Sequence, residues 1–122
     1  MLLLSAAVPR LELATSTVVY GEVVEGLYRF QDFGARHLML RELMREVSPL
    51  APTPEVMDLY AQIRRQLRPP YGPGLIGDID TIIAATALTH DLTLVTTDTD
   101  FLRVPSLRLL LLDRATLAPV QR

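Results

Sequence analysis

At 122 residues the chain has room for one core, and residues 1–122 read as a single domain. Hydrophobic residues make up 49% of it, yet charges interrupt every apolar run before membrane-spanning length, and Met1-Leu2-Leu3-Leu4-Ser5-Ala6-Ala7 lacks the basic start of a signal peptide. The absence of cysteine excludes disulfides and thiolate metal sites and fits the cytoplasm, and a net charge of −2 gives no whole-molecule attraction to nucleic acid.

The first predicted element is a buried strand over Leu11–Thr15, short, apolar and bounded by Pro9-Arg10. Ser16 or Thr17 can cap the helix that follows, through Val18 to Gly26 and on into Leu27-Tyr28-Arg29-Phe30. A second helix covers Ala35–Glu46, and Val47-Ser48-Pro49-Leu50 reads as a short edge strand, where proline is tolerated. Thr53-Pro54-Glu55 combines a cap, a proline in the first turn and an acid suited to the helix dipole, so a third helix runs from there to about Leu67. Arg68-Pro69-Pro70-Tyr71-Gly72-Pro73-Gly74 breaks it. A fourth helix spans Asp78 to about Thr89, His90-Asp91 turns the chain, Leu92–Thr96 is a buried strand, and Leu107–Leu112 is a last apolar strand. Strands alternating with helices predict an α/β fold with a mainly parallel sheet covered on both faces.

In such sheets ligands bind beyond the carboxyl ends of the strands. Glu22 lies in the helix after the first predicted strand, Asp78 and Asp80 open the helix before the next clear one, and Asp98 and Asp100 follow that strand directly. Carboxylates converging from separate elements repel unless a divalent cation neutralises them, and Mg2+ or Mn2+ favours such oxygen ligands. That arrangement suits phosphoryl chemistry. Each acid also has an ordinary role: Asp78 as a helix cap, Asp80 as a complement to the dipole, Asp98 and Asp100 as turn residues, Glu22 as a solvent-facing side chain. His90 fits a turn and His37 a helix surface. All 12 basic residues are arginines, and Arg64, Arg65 and Arg68 form the dense cluster, either a solvated helix end or a contact for RNA phosphates.

The run Asp80-Thr81-Ile82-Ile83-Ala84-Ala85 resembles the Asp-x-x-Ile-Ala-Ala block of PIN domains, in particular of VapC-type toxins, which are metal-dependent ribonucleases. Ser16-Thr17-Val18-Val19-Tyr20-Gly21-Glu22 is similar to that family's Ser-Ser-x-x-x-x-Glu block, and Thr96-Thr97-Asp98-Thr99-Asp100-Phe101 to its Thr-x-Asp/Asn block. The resemblance implies a three-layer α/β/α fold, a Mg2+- or Mn2+-dependent ribonuclease with Glu22, Asp80 and Asp98 as its catalytic and metal-holding acids, and Asp78 or Asp100 in support. It further implies an RNA substrate, a cognate antitoxin, a homodimer and no membrane. The match departs at the N-terminus. The family's first strand, which lies in the middle of its sheet and ends in an aspartate, has no counterpart here, the first acid being Glu12. Either the natural start lies upstream or this is a truncated, catalytically inactive PIN-like module that still binds an antitoxin. A chain without that strand is expected to be unstable alone, or to close the gap with another segment or chain.

Overall fold

The helix-start chemistry of the sequence is where the chain turns in the computed structural model, which describes residues 2–5 and 13–120. Its strands are β1 (Leu2–Ser5), β2 (Leu13–Ser16), β3 (Ser48–Leu50), β4 (Leu92–Thr96) and β5 (Leu109–Leu111). The helices are α1 (Thr17–Leu27), α2 (Phe33–Met44), α3 (Pro54–Leu67) and α4 (Asp78–Thr89), with a 3-10 helix at Thr99–Arg103. Ser16 Oγ accepts from the Val18 amide at 3.1 Å and Thr53 Oγ1 from the Val56 amide at 3.3 Å, each satisfying an otherwise orphaned donor of a first turn. The strand expected at Leu11–Thr15 corresponds to β2, Leu13–Ser16; the expected Leu11 and Glu12 lie outside the described residues.

The first helix ends at Leu27 rather than Phe30, because the chain reverses there and Tyr28 stacks on Phe33, ring centroids 4.1 Å apart. The second then begins at Phe33 rather than Ala35, and Arg36 donates to Asp32 at 2.8 Å across the new first turn. The last strand is shorter than the apolar run, with Ser106 at a φ of 65° in the approach to it.

The sheet order is β3-β2-β1-β4-β5. β2–β3 and β4–β5 are parallel, as expected, but β1 is antiparallel to both of its neighbours. The gap foreseen in the middle of the sheet is thus closed by the chain's own Leu2–Ser5. Leu3 lies opposite Ala14 on one side and Leu94 on the other, so the facing ladders of β2 and β4 both find partners. The centre of the sheet is thus filled by a strand that runs against both neighbours and carries no acid: Leu2 lies beside Val95 and Ser5 beside Leu92.

The core lies between this sheet and the α3–α4 pair. It gathers Val56, Ile63 and Leu67 from α3, Ile83, Ala84, Ala85 and Ala87 from α4, and Leu94, Phe101 and Val104 beyond them. Three alanines let α4 pack closely, and its Thr81 and Thr86, also buried, donate to the carbonyls of Gly77 and Ile82 at 2.8 and 2.7 Å. α1 and α2 differ: neither buries a residue completely, and α2 packs chiefly on α1. Val23, Leu38, Met39 and Leu43 are exposed on this pair.

Candidate carboxylate site

Because β1 runs against both neighbours, β2 and β4 point the same way, and their carboxyl ends share one edge of the sheet. Three segments reach that edge: α1 leaving β2, α4 starting before β4, and the 3-10 helix leaving β4. They bring Glu22, Asp80 and Asp98, with Asp100, into one electrostatic neighbourhood. The Asp80 carboxyl is held above its ordinary value, first by burial and then by the charges of Asp98, Glu22 and Asp100.

Each acid is positioned by local chemistry. Asp80 sits in the first turn of α4, whose entry is fixed by the Thr81 hydroxyl bonded to Gly77 O. Gly77 stands close by, since a Cβ there would lie 3.7 Å from Asp80 Oδ2. Thr96, almost fully buried at the end of β4, accepts the Asp98 amide on Oγ1 at 3.1 Å, and Asp98 Oδ1 accepts the Asp100 amide at 2.9 Å. Asp98 therefore caps the 3-10 helix with one oxygen while Oδ2 takes no part in that bond. Phe101, 1% exposed, anchors this helix in the core. Glu22 is exposed on the second turn of α1.

Asp78 does not cap α4. Gly77 holds the cap position without a side-chain bond, and Asp78 instead receives Arg64 Nη1 at 2.6 Å and the Tyr60 hydroxyl at 3.4 Å. Of the arginine cluster, Arg64 is thus paired, Arg65 lies over the Tyr71 ring at 3.3 Å, and Arg68 closes α3. His90 is the residue after α4, as its turn role required, while His37 meets the Tyr20 hydroxyl through Nε2 at 3.0 Å. Arg103 was not foreseen: it stands beside Asp100 and binds the Leu75 carbonyl. Its spacing of three residues from Asp100 was the available signal.

The side chains gathered here offer oxygen only, and burial followed by mutual repulsion raises Asp80, a chemistry compatible with a hard divalent cation. Among the described residues no three histidine, aspartate or glutamate side chains form a ready-made cage. No helix among the described residues is long and apolar enough to cross a membrane.

VapBC-1 of nontypeable Haemophilus influenzae superposes with a TM-score of 0.74 at 24% identity, over 85% of this chain and 77% of that one. VapBC2 of Rickettsia felis, bound to a DNA fragment from its promoter, gives 0.71 at 24% identity, over 80% and 73% of the two chains. VapBC-5 of Mycobacterium tuberculosis, from a toxin-antitoxin family, gives 0.68 at 22% identity, over 81% of each. No curated protein matches at the level of sequence. The family model for the PIN domain matches residues 3–107, taking in all of β1 but Leu2 and all three acid-bearing segments, and the chain belongs to the PIN domain family.

Proposed function

We propose that this chain is a VapC-like toxin, a divalent-metal-dependent ribonuclease held in check by an antitoxin. The observation that carries the reading is the convergence on Asp80 of Asp98, Glu22 and Asp100 from separate elements, at the edge where the sheet's strands end. Glu22, Asp80 and Asp98 would hold Mg2+ or Mn2+, with Asp100 in support. Asp78, tied to Arg64, serves the shape of the α4 mouth instead. A bound cation supplies positive charge against the phosphodiester and makes a nearby water more acidic. Carboxylate oxygens of the three acids not engaged by the cation would orient that water and take its proton. No side-chain nucleophile is required.

The same reading gives α1–α2 to the antitoxin. This pair carries a groove of about 670 Å³ lined by Val23, Leu27, Met39, Leu40 and Leu43, with Asp32 and Arg36. An amphipathic segment of a partner would fit it, with apolar anchors flanked by charges that answer Asp32 and Arg36. The toxin–antitoxin assemblies among the similar structures support a partner of this kind. RNA as substrate, a homodimer and a cytoplasmic location belong to the proposal. Manganese-dependent cleavage of single-stranded RNA, lost in D80N, is the expected result, and equal cleavage by D80N would remove Asp80 from the mechanism.

One observation favours a second reading, a catalytically inactive module that binds an antitoxin. β1 brings Leu2, not a carboxylate, to the acid edge. Antitoxin binding without manganese-dependent cleavage would select this reading.

A further inference from the structure

Two segments deliver the acids of α4 and of the 3-10 helix, and one side chain joins them. Arg103 Nη1 donates to the Leu75 carbonyl at 3.1 Å, three residues before Asp78, while Nη2 lies 3.8 Å from Asp100 Oδ1. The loop passes close beneath the guanidinium, since a Cβ on Gly74 would lie 3.9 Å from Nη1, and Gly74 has a φ of +127° that side-chain-bearing residues rarely adopt. Both flanks of Arg103 are anchored, by Phe101 and Val104 in the core, and Leu75 is followed by the buried Ile76. Among the described residues no other hydrogen bond or ion pair connects this loop to the 3-10 helix. One nitrogen of the guanidinium thus donates to the loop, while the other faces Asp100 as a charge at a separation beyond hydrogen bonding.

We propose that Arg103 is a positioning residue of the carboxylate site: by bridging Leu75 and Asp100 it fixes the separation across which Asp80 and Asp98 meet. The inference rests on the metal-binding reading of that site. It also makes a prediction of unusual sign. Removing a cation beside Asp100 should, by charge alone, tighten the hold on a divalent ion. Releasing the bridge should loosen it, because the acids are no longer kept in register.

The test is titration calorimetry of Mn2+ into the wild-type chain, R103Q, R103K and D80N, with amide hydrogen exchange on the metal-free proteins. Arg103 is exposed, so R103Q is expected to fold, and circular dichroism checks it. R103Q should bind Mn2+ about tenfold or more weakly, the scale of losing a group that orients metal ligands. The Thr81 amide, bonded to Gly77 O at 2.9 Å, should exchange faster. R103K should recover part of both. Unchanged or tighter binding by R103Q, with unchanged exchange, would overturn the proposal. Wild-type binding no stronger than that of D80N would defeat the metal reading separately. Exchange alone then decides the bridge: faster exchange in R103Q keeps it, and unchanged exchange overturns it.

Discussion

At Asp80 the fold works against itself in the absence of a cation. Burial, and then Asp98, Glu22 and Asp100, hold its carboxyl above the ordinary value, so folding favours the protonated form. The sign follows from linkage. This contribution to stability is fully present below the unfolded carboxyl value, about 3.9, and is lost as the pH rises through the raised one. Thermal melts in chelator should therefore show D80N more stable than wild type at pH 7, with the difference closing as the pH falls towards about 4. Added Mn2+ should reverse the ranking at pH 7. A constant difference at every pH would mean that the charge of Asp80 is not the source. Asp78 offers the contrast. Its pair with Arg64 is short but largely exposed on the aspartate side, so D78N should cost no more than about 1 kcal/mol and leave manganese affinity unchanged. Affinity lost in D78N as in D98N would return Asp78 to the metal set.

Among the elements, the 3-10 helix ties the site to the core. Phe101 is 1% exposed, and replacing it with alanine should cost about 3–5 kcal/mol and release Asp98 and Asp100 together. Chemical denaturation measures the first effect and manganese titration the second; full affinity in a destabilised F101A would separate core from site. Elements with local chemistry were legible in the sequence. Thr53 with Pro54 marked α3, and Asp78 to Thr89 and Leu92 to Thr96 have the bounds their patterns imply. The 3-10 helix was not legible, because Asp98 followed by Thr99-Asp100 reads as a plain turn until Phe101 is seen to be buried. Glu22, Asp80 and Asp98 stood out as candidates by their place at strand ends and by the blocks they share with the family. Which of them meet could not be read there: Asp78 is drawn away by Arg64, 14 residues distant. Partners at that separation leave no local pattern.

For the molecule as a whole, the instructive element is β1. Leu2-Leu3-Leu4-Ser5 has neither alternation nor a turn signal, and nothing within it specifies a partner. Its place follows from what the rest of the sheet lacks: β2 and β4 each present a ladder that only a strand between them can satisfy. A strand bonded on both sides is also the one least able to accept proline, unlike β3, which carries Pro49 at the sheet's edge. Leu3→Pro should remove one ladder bond in the middle of the sheet, about 1 kcal/mol, and its ring should strain the strand and its neighbours further. A loss of about 2–3 kcal/mol corresponds to a melting temperature lower by roughly 10 °C for a domain of this size. The same substitution at Leu38, exposed in α2, would break a helix that packs chiefly on α1, so it should disturb the α1–α2 face while the sheet persists. Hydrogen exchange resolves the two cases: L3P should expose the amides of β2 and β4 together, and L38P those of α2. If L3P melts like wild type with β4 still protected, β1 does not hold the centre of this sheet, and the carboxyl ends of β2 and β4 owe their alignment to the helices alone.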